Sequence, residues 1–337
     1  MPARSLLIAT MLPISIANVL HAESPSPRDV QVVTAPAAHA VDHSRFQVVL
    51  DKYLKDGLID YLSLRDNDLP LLRGYLDAMA AVDHTTLPRN EQLALYCNLY
   101  NATMMHAIAM RYRVGFRGNE AGAYIFREPM VRLSTGIVTL NHLEHEMIRK
   151  GFNDPRIHGA LVCAGLGCPK LVPGVFTGEN LDAQLTAAMT GWITDPSRNQ
   201  LDITTKTFHV SRLFKHYADD FGGLDKVPAY LDRYDDRDLS SYRIEYQTSY
   251  DWAPNSAVPP GRWVWVSAVT ASFFDAPGGS EISKLGMGAI ARTISQQVGS
   301  TGTYLQIRQP GTDKDVWIHQ ADTLPYPPES SQSNAGR

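Results

Sequence analysis

Hydrophobic positions in the first two thirds of the chain recur mainly at helical spacing, whereas those near its end alternate in short runs. Phe46, Val49, Leu50, Tyr53 and Leu54 share one face of a helix predicted over 46–55, and Asp56-Gly57 follows with a glycine in the C-cap position. The same spacing predicts a helix over 69–79, and residues 91–110 are apolar on several faces, as a helix buried at the centre of a domain would be. Residues 137–140 read as a short strand leading into a helix from Asn141. Further helices are predicted over 180–192 and 214–220, with extended stretches at 200–203 and 207–210. The apolar run 157–162, bounded by Asp154-Pro155 and by Ala164-Gly165-Leu166-Gly167, reads as a buried strand ending in a glycine-rich turn. Beyond 262, runs at 263–269, 289–294, 304–307 and 316–318 separated by glycine turns predict a small β barrel or sandwich.

At 337 residues the chain can bury a sizeable core and form more than one domain. A net charge of -4 without a dense Lys/Arg run leaves no electrostatic footprint for nucleic acid. Residues 1–22 combine Arg4, an apolar stretch broken by Thr10, Pro13, Ser15 and Asn18, and Ala22 before Glu23, which is the pattern of a secretory signal and falls short of a membrane span. Its removal takes away Arg4 and no acid, so the expected mature charge is about -5 (-4 minus 1). With no second run long enough to span, the mature protein is expected to be periplasmic or secreted, where disulfides form. Residues 23–41 read as a flexible leader, 236–261 as an interdomain connection and 325–337 as a disordered tail.

Candidate chemistry gathers where two of the three cysteines, Cys163 and Cys168, follow His158. Asn98 and Asn101 share a face of the central helix, where buried carboxamides need partners, either neighbouring backbone or a substrate. Cys97 beside them reads as a small buried apolar residue. In the helix after Asn141, His142 and His145 are one turn apart and Arg149 lies four beyond His145. The bland reading of His142 is a solvated face. This spacing is not the His-Glu-x-x-His zinc signature.

The ordered set Asp56-Gly57-Leu58-Ile59-Asp60-Tyr61, Gln92-Leu93-Ala94, Asn98-Leu99-Tyr100-Asn101-Ala102, Leu140 with Glu144-His145, Arg156-Ile157-His158 with Ala160-Leu161-Val162-Cys163, Cys168-Pro169, Asn180-Leu181-Asp182, and Ser211 with Phe214-Lys215 and Asp219-Asp220-Phe221-Gly222 resembles the family catalogued as domain of unknown function 547. The likeness runs over 41–235; Cys97 and Lys170 depart from it, standing where an aliphatic residue and a second proline are usual. The resemblance implies an α+β fold more than a reaction. Its order of a buried helix followed by a strand carrying a histidine is loosely similar to transglutaminase and papain-like folds, although there the cysteine opens the central helix, where this chain offers Asn98 and Asn101. Val269-Thr270-Ala271, Asp275-Ala276-Pro277-Gly278, Leu285-Gly286-Met287-Gly288-Ala289 and Val316-Trp317-Ile318 resemble bacterial SH3-like domains, with Val316 in the place of an expected glycine. The organisation expected is therefore a mixed helical and sheet domain over 42–235 followed by an SH3-like β barrel over 262–324, a module type that binds cell-wall peptides or positions an attached enzyme.

Three readings of the site follow. In the first, Cys163 is the nucleophile of a hydrolase or acyl transferase acting on peptide or peptidoglycan-derived amides, with His158 or His145 as base, Glu144 orienting it, and Asn98, Asn101, Arg149 and Cys168 binding substrate or supporting the site. On a regular strand His158 and Cys163, five apart, point to opposite faces, which makes His145 an equal candidate. In the second, Cys163 and Cys168 form a disulfide across the intervening turn, in a non-catalytic envelope binding protein. The third assembles zinc ligands from His145, His158, Cys163 and Cys168, but the cysteine spacing is long and no second pair exists, so neither metal nor other cofactor is expected.

Overall fold

The computed structural model describes residues 40–112, 124–252, 254–257, 263–266, 268–299, 301–310 and 312–325, which fall in one compact unit. The residues read above as a signal, 1–22, and nearly all of those read as a leader, 23–41, lie outside them, as do those beyond Pro325 read as a tail.

Helix Ser44–Tyr53 turns Phe46, Val49, Leu50 and Tyr53 inward, as its spacing predicts. Asp56-Gly57 is not its cap. The helix stops at Tyr53, and Leu54–Lys55 (β1) pairs antiparallel with Leu58–Ile59 (β2). Asp56 (φ 49°) and Gly57 (φ 80°) form the two-residue connection, in which positive φ matches the twist of the strands. Helix Leu69–Ala80 and the long helix Arg89–Arg111 follow, and the latter is buried on nearly every side. It packs against Leu69–Ala80, against Pro129–Leu133 (β3) and against the helical segment that carries Glu144. Among the described residues no helix is long and apolar enough to cross a membrane.

Strand β3 pairs with Gly136–Thr139 (β4), and Thr139 caps the next helix by accepting from the His142 N–H at 3.0 Å. That helix starts as Leu140–His142, widens into a π-helical stretch at Leu143–Arg149, and ends at Lys150–Phe152 before Asn153 in the left-handed region. The predicted strand at 157–162 is a correction: Ile157–Ala160 forms a single helical turn, whose cap Leu161 is extended. Gly159 explains the choice. It lies against helix Leu181–Thr194, where a Cβ would sit 2.8 Å from the backbone N and Cα of Met189, so the turn can approach only without a side chain. Trp192 and Ile193 of that helix point into the core.

Gln200–Asp202 (β5) and Thr207–Val210 (β6) form a hairpin, and the helix predicted over 214–220 breaks at Tyr217 into Leu213–His216 and a 3-10 turn Ala218–Phe221. Within 236–261, read above as a connection, Arg243–Tyr246 (β7) pairs parallel with β6, and Asp251, Asn255 and Ser256 bond to distant segments. The Asp251 carbonyl accepts from Gly167 N–H (2.8 Å), Asn255 N–H donates to the Ala164 carbonyl (2.9 Å), and the Asn255 carbonyl accepts from Ile59 N–H (2.9 Å).

The C-terminal strands are Trp263–Val266 (β8), Thr270–Phe274 (β9), Glu281–Gly286 (β10), Ile290–Gly299 (β11), Gly302–Arg308 (β12), Asp315–His319 (β13) and Thr323–Pro325 (β14). Five pair in the order β10-β9-β13-β12-β11, and β11 continues to β8 and β14. Alternation places Phe273, Leu305, Ile307, Val316 and Ile318 on the covered face. The expected closed barrel is not formed: among the described residues the outer strands β10 and β14 do not pair, so the order stays open. Gln296 of β11 donates to the Ser256 carbonyl at 2.9 Å, and Val298 packs on Leu58, Leu166 and Ala257.

Candidate functional site

Asn98 and Asn101 act as backbone clamps. Asn98 donates to the Phe176 carbonyl (2.8 Å) and accepts from Phe176 N–H (2.9 Å), and Asn101 donates to the Ala160 carbonyl (2.9 Å) and accepts from Val162 N–H (2.9 Å). Each carboxamide therefore satisfies a donor and an acceptor on chain that has no ladder partner there. Asn101 fixes the segment that delivers Cys163. Cys97 is fully buried, and burial pushes its thiol pKa up.

Glu144 projects into the core from the π-helical stretch, a widened geometry frequent at functional sites. Its Oε2 accepts from Tyr100 at 2.8 Å and its Oε1 from Tyr217 at 2.9 Å. Burial first, and the Glu144 charge second, push both phenol pKa values up, so the two hydroxyls remain donors. His145 lies beside this carboxylate, its Nδ1 3.9 Å from Oε1, and His142 is exposed.

Asp220 joins the remaining candidates. Its Oδ2 lies 2.6 Å from His158 Nε2 and 2.7 Å from Arg149 Nε, and its Oδ1 lies 2.9 Å from Arg149 Nη2. Burial alone would raise its pKa. The hydrogen bonds from His158 and Arg149 outweigh that and hold the carboxyl well below the usual carboxylate range. An ionised carboxylate only accepts, so His158 carries its proton on Nε2. The Tyr217 ring stacks on His158 at 4.2 Å and lies 4.7 Å below the Arg149 guanidinium, whose Nη1 lies 3.1 Å from His145 Nδ1.

Cys163 and Cys168 form a disulfide. The turn between them passes through Ala164 at φ 64° and wraps Tyr250 so closely that a Cβ on Gly167 would lie 2.7 Å from its ring. The Tyr250 hydroxyl is 3.0 Å from each sulfur, and the Cys163 N–H donates to the Cys168 sulfur at 2.9 Å. Two expectations change as a result. Cys163 has no free thiol in this state, so it is not a nucleophile here. The argument that His158 and Cys163 occupy opposite strand faces also lapses, because the histidine sits on a helical turn. The zinc reading fails on its donors: both sulfurs are spent on each other, His158 Nε2 is spent on Asp220, and among the described residues no cluster of His, Cys, Asp and Glu could hold a metal ion.

The structure thus brings Glu144, His145, Arg149 and His158 into one polar network, with the cystine beside Tyr250. Sequence reasoning missed Tyr100, Tyr217, Asp220 and Tyr250 as site residues. The first and third stood inside the quoted motifs without a role, and Tyr250 stood in the supposed connection.

Residues 84–193 match the family model described as "Protein of unknown function, DUF547". The match carries Asn98, Asn101, Glu144, His145, Arg149, His158 and both bonded cysteines, while Tyr217, Asp220 and Tyr250 lie beyond it. No curated protein and no solved structure matches the chain, so the likeness to transglutaminase and papain-like folds has no structural neighbour behind it.

Proposed function

We propose that this is an exported cell-envelope protein whose site around Glu144, His145, Arg149 and His158 binds a peptide or peptidoglycan-derived ligand without cleaving it while the Cys163–Cys168 bond is closed. The observation that carries this reading is the bond itself, since a cystine sulfur has no thiolate to attack an amide. Glu144 and His158 are likewise engaged by Tyr100, Tyr217 and Asp220, which suits a preformed recognition surface. Trp252, 39% exposed and 4.6 Å from the Tyr250 ring, supplies an aromatic face for a ligand. Export rests on the pattern of residues 1–22 and on the oxidised pair; a wall-derived ligand rests on the SH3-like motifs of the β region.

A second reading, acyl transfer by Cys163 after reduction, draws on the His158–Asp220 pair, an imidazole oriented by a carboxylate as nucleophile-activating bases are. Calorimetry and mass spectrometry on the oxidised chain mixed with purified muropeptides test the binding reading. Saturable binding with unchanged ligand masses is expected. Hydrolysed or transferred products formed by the oxidised protein, or an absence of binding, overturn it.

A further inference from the structure

The two sulfurs of the cystine differ in their surroundings. Cys168 is 2% exposed, whereas Cys163 is only partly buried at the end of the segment held by Asn101. The Cys163 N–H donates to the buried sulfur alone, at 2.9 Å, and the Tyr250 hydroxyl, 3.0 Å from each sulfur, can donate to it as well. Burial chiefly pushes the Tyr250 pKa up, so this hydroxyl keeps its proton at neutral pH. Cys97 is fully buried in the central helix and has no place in this arrangement.

We infer that the Cys163–Cys168 bond is a thiol-exchange site, at which an unhindered small thiolate attacks the accessible Cys163 sulfur and Cys168 departs as a thiolate received by the Tyr250 hydroxyl and the Cys163 N–H. In the first step the incoming sulfur bonds to Cys163, the Cys163–Cys168 bond breaks, and its electron pair stays on Cys168. A second thiolate then attacks the mixed disulfide, leaves as half of an oxidised thiol dimer and frees Cys163. Two small thiols are oxidised and one cystine is reduced. Exchange runs faster the more stable the departing thiolate, and hydrogen-bond donors placed on that sulfur before attack supply such stability. The inference goes beyond the proposed ligand binding and holds whatever the polar site takes.

Reduced glutathione, applied to the folded oxidised protein and quenched with acid, is the probe. Fragment mass spectrometry of the mixed disulfide should place glutathione on Cys163; glutathione on Cys168, or no reduction of the folded protein, overturns the inference. Tyr250→Phe keeps the ring that packs on Gly167 and deletes the donor, and should slow reduction about tenfold. The sign is diagnostic. A variant that merely loosened the site would expose the cystine and be reduced faster, so an unchanged or increased rate also overturns the inference. The glutathione position in the unaltered protein decides the question should the variant fail to fold.

Discussion

Replacing Asn101 by alanine is expected to cost about 3–4 kcal/mol of stability, because it strands two buried backbone groups at once. Asn101 is 4% exposed, and its carboxamide is the partner of the Ala160 carbonyl and the Val162 N–H on a stretch that belongs to no sheet. A buried group left without a partner costs about 1–3 kcal/mol, and the space vacated by the side chain adds to it. Cys97→Ala in the same helix removes packing only and should cost about 1 kcal/mol. Urea unfolding followed by far-UV circular dichroism compares the two. A loss below about 1 kcal/mol for Asn101→Ala would show that water or rearranged backbone replaces the clamp.

Asp220→Asn should cost about 2–3 kcal/mol at neutral pH. Removing one partner of a fully buried ion pair costs about 3–5 kcal/mol, and the figure is lowered here because the Asp220 and Arg149 side chains are each 24% exposed. The amide would keep one acceptor but turn an NH2 group toward the donors of Arg149 or His158. The pH dependence follows from the direction of the shift. Asp220 has its folded pKa depressed below the unfolded value of about 3.9, so its contribution is fully present above that value and is lost as pH falls toward the folded pKa. The gap in stability between the two proteins should therefore narrow as pH falls below about 4. A gap that widens as pH falls below about 4 would contradict the ionised carboxylate on which the proton position of His158 depends.

Local signals in the sequence carried the helical frame. Phe46, Val49, Leu50 and Tyr53 gave one helix, the continuous apolar character of 91–110 gave the central one, and two carboxamides on a buried face announced backbone partners. The cystine stood among the readings of two cysteines around a short glycine turn, but after that of a free Cys163 nucleophile. What escaped was set by tertiary contact. A short apolar run such as 157–162 has no period long enough to separate strand from helix, and only the closeness of Gly159 to Met189 reveals the turn. Asp56-Gly57 suits a helix end and a hairpin equally well. Asp220 meets Arg149 across 71 positions of sequence, and Tyr250 reaches Cys163 across 87. Neither pairing leaves a mark on local spacing, and the aromatic and proline-rich stretch around Tyr250 has the composition of a linker although Asp251, Asn255 and Ser256 bond to the cystine turn, β2 and β11.

The state of the three cysteines in protein purified without added reductant decides between a closed site and a working thiol. Unfolding that protein in iodoacetamide without reductant should label Cys97 alone, and prior reduction should raise the count to all three cysteines. Labelling of Cys163 and Cys168 without reductant would contradict the account and return Cys163 to the role of nucleophile.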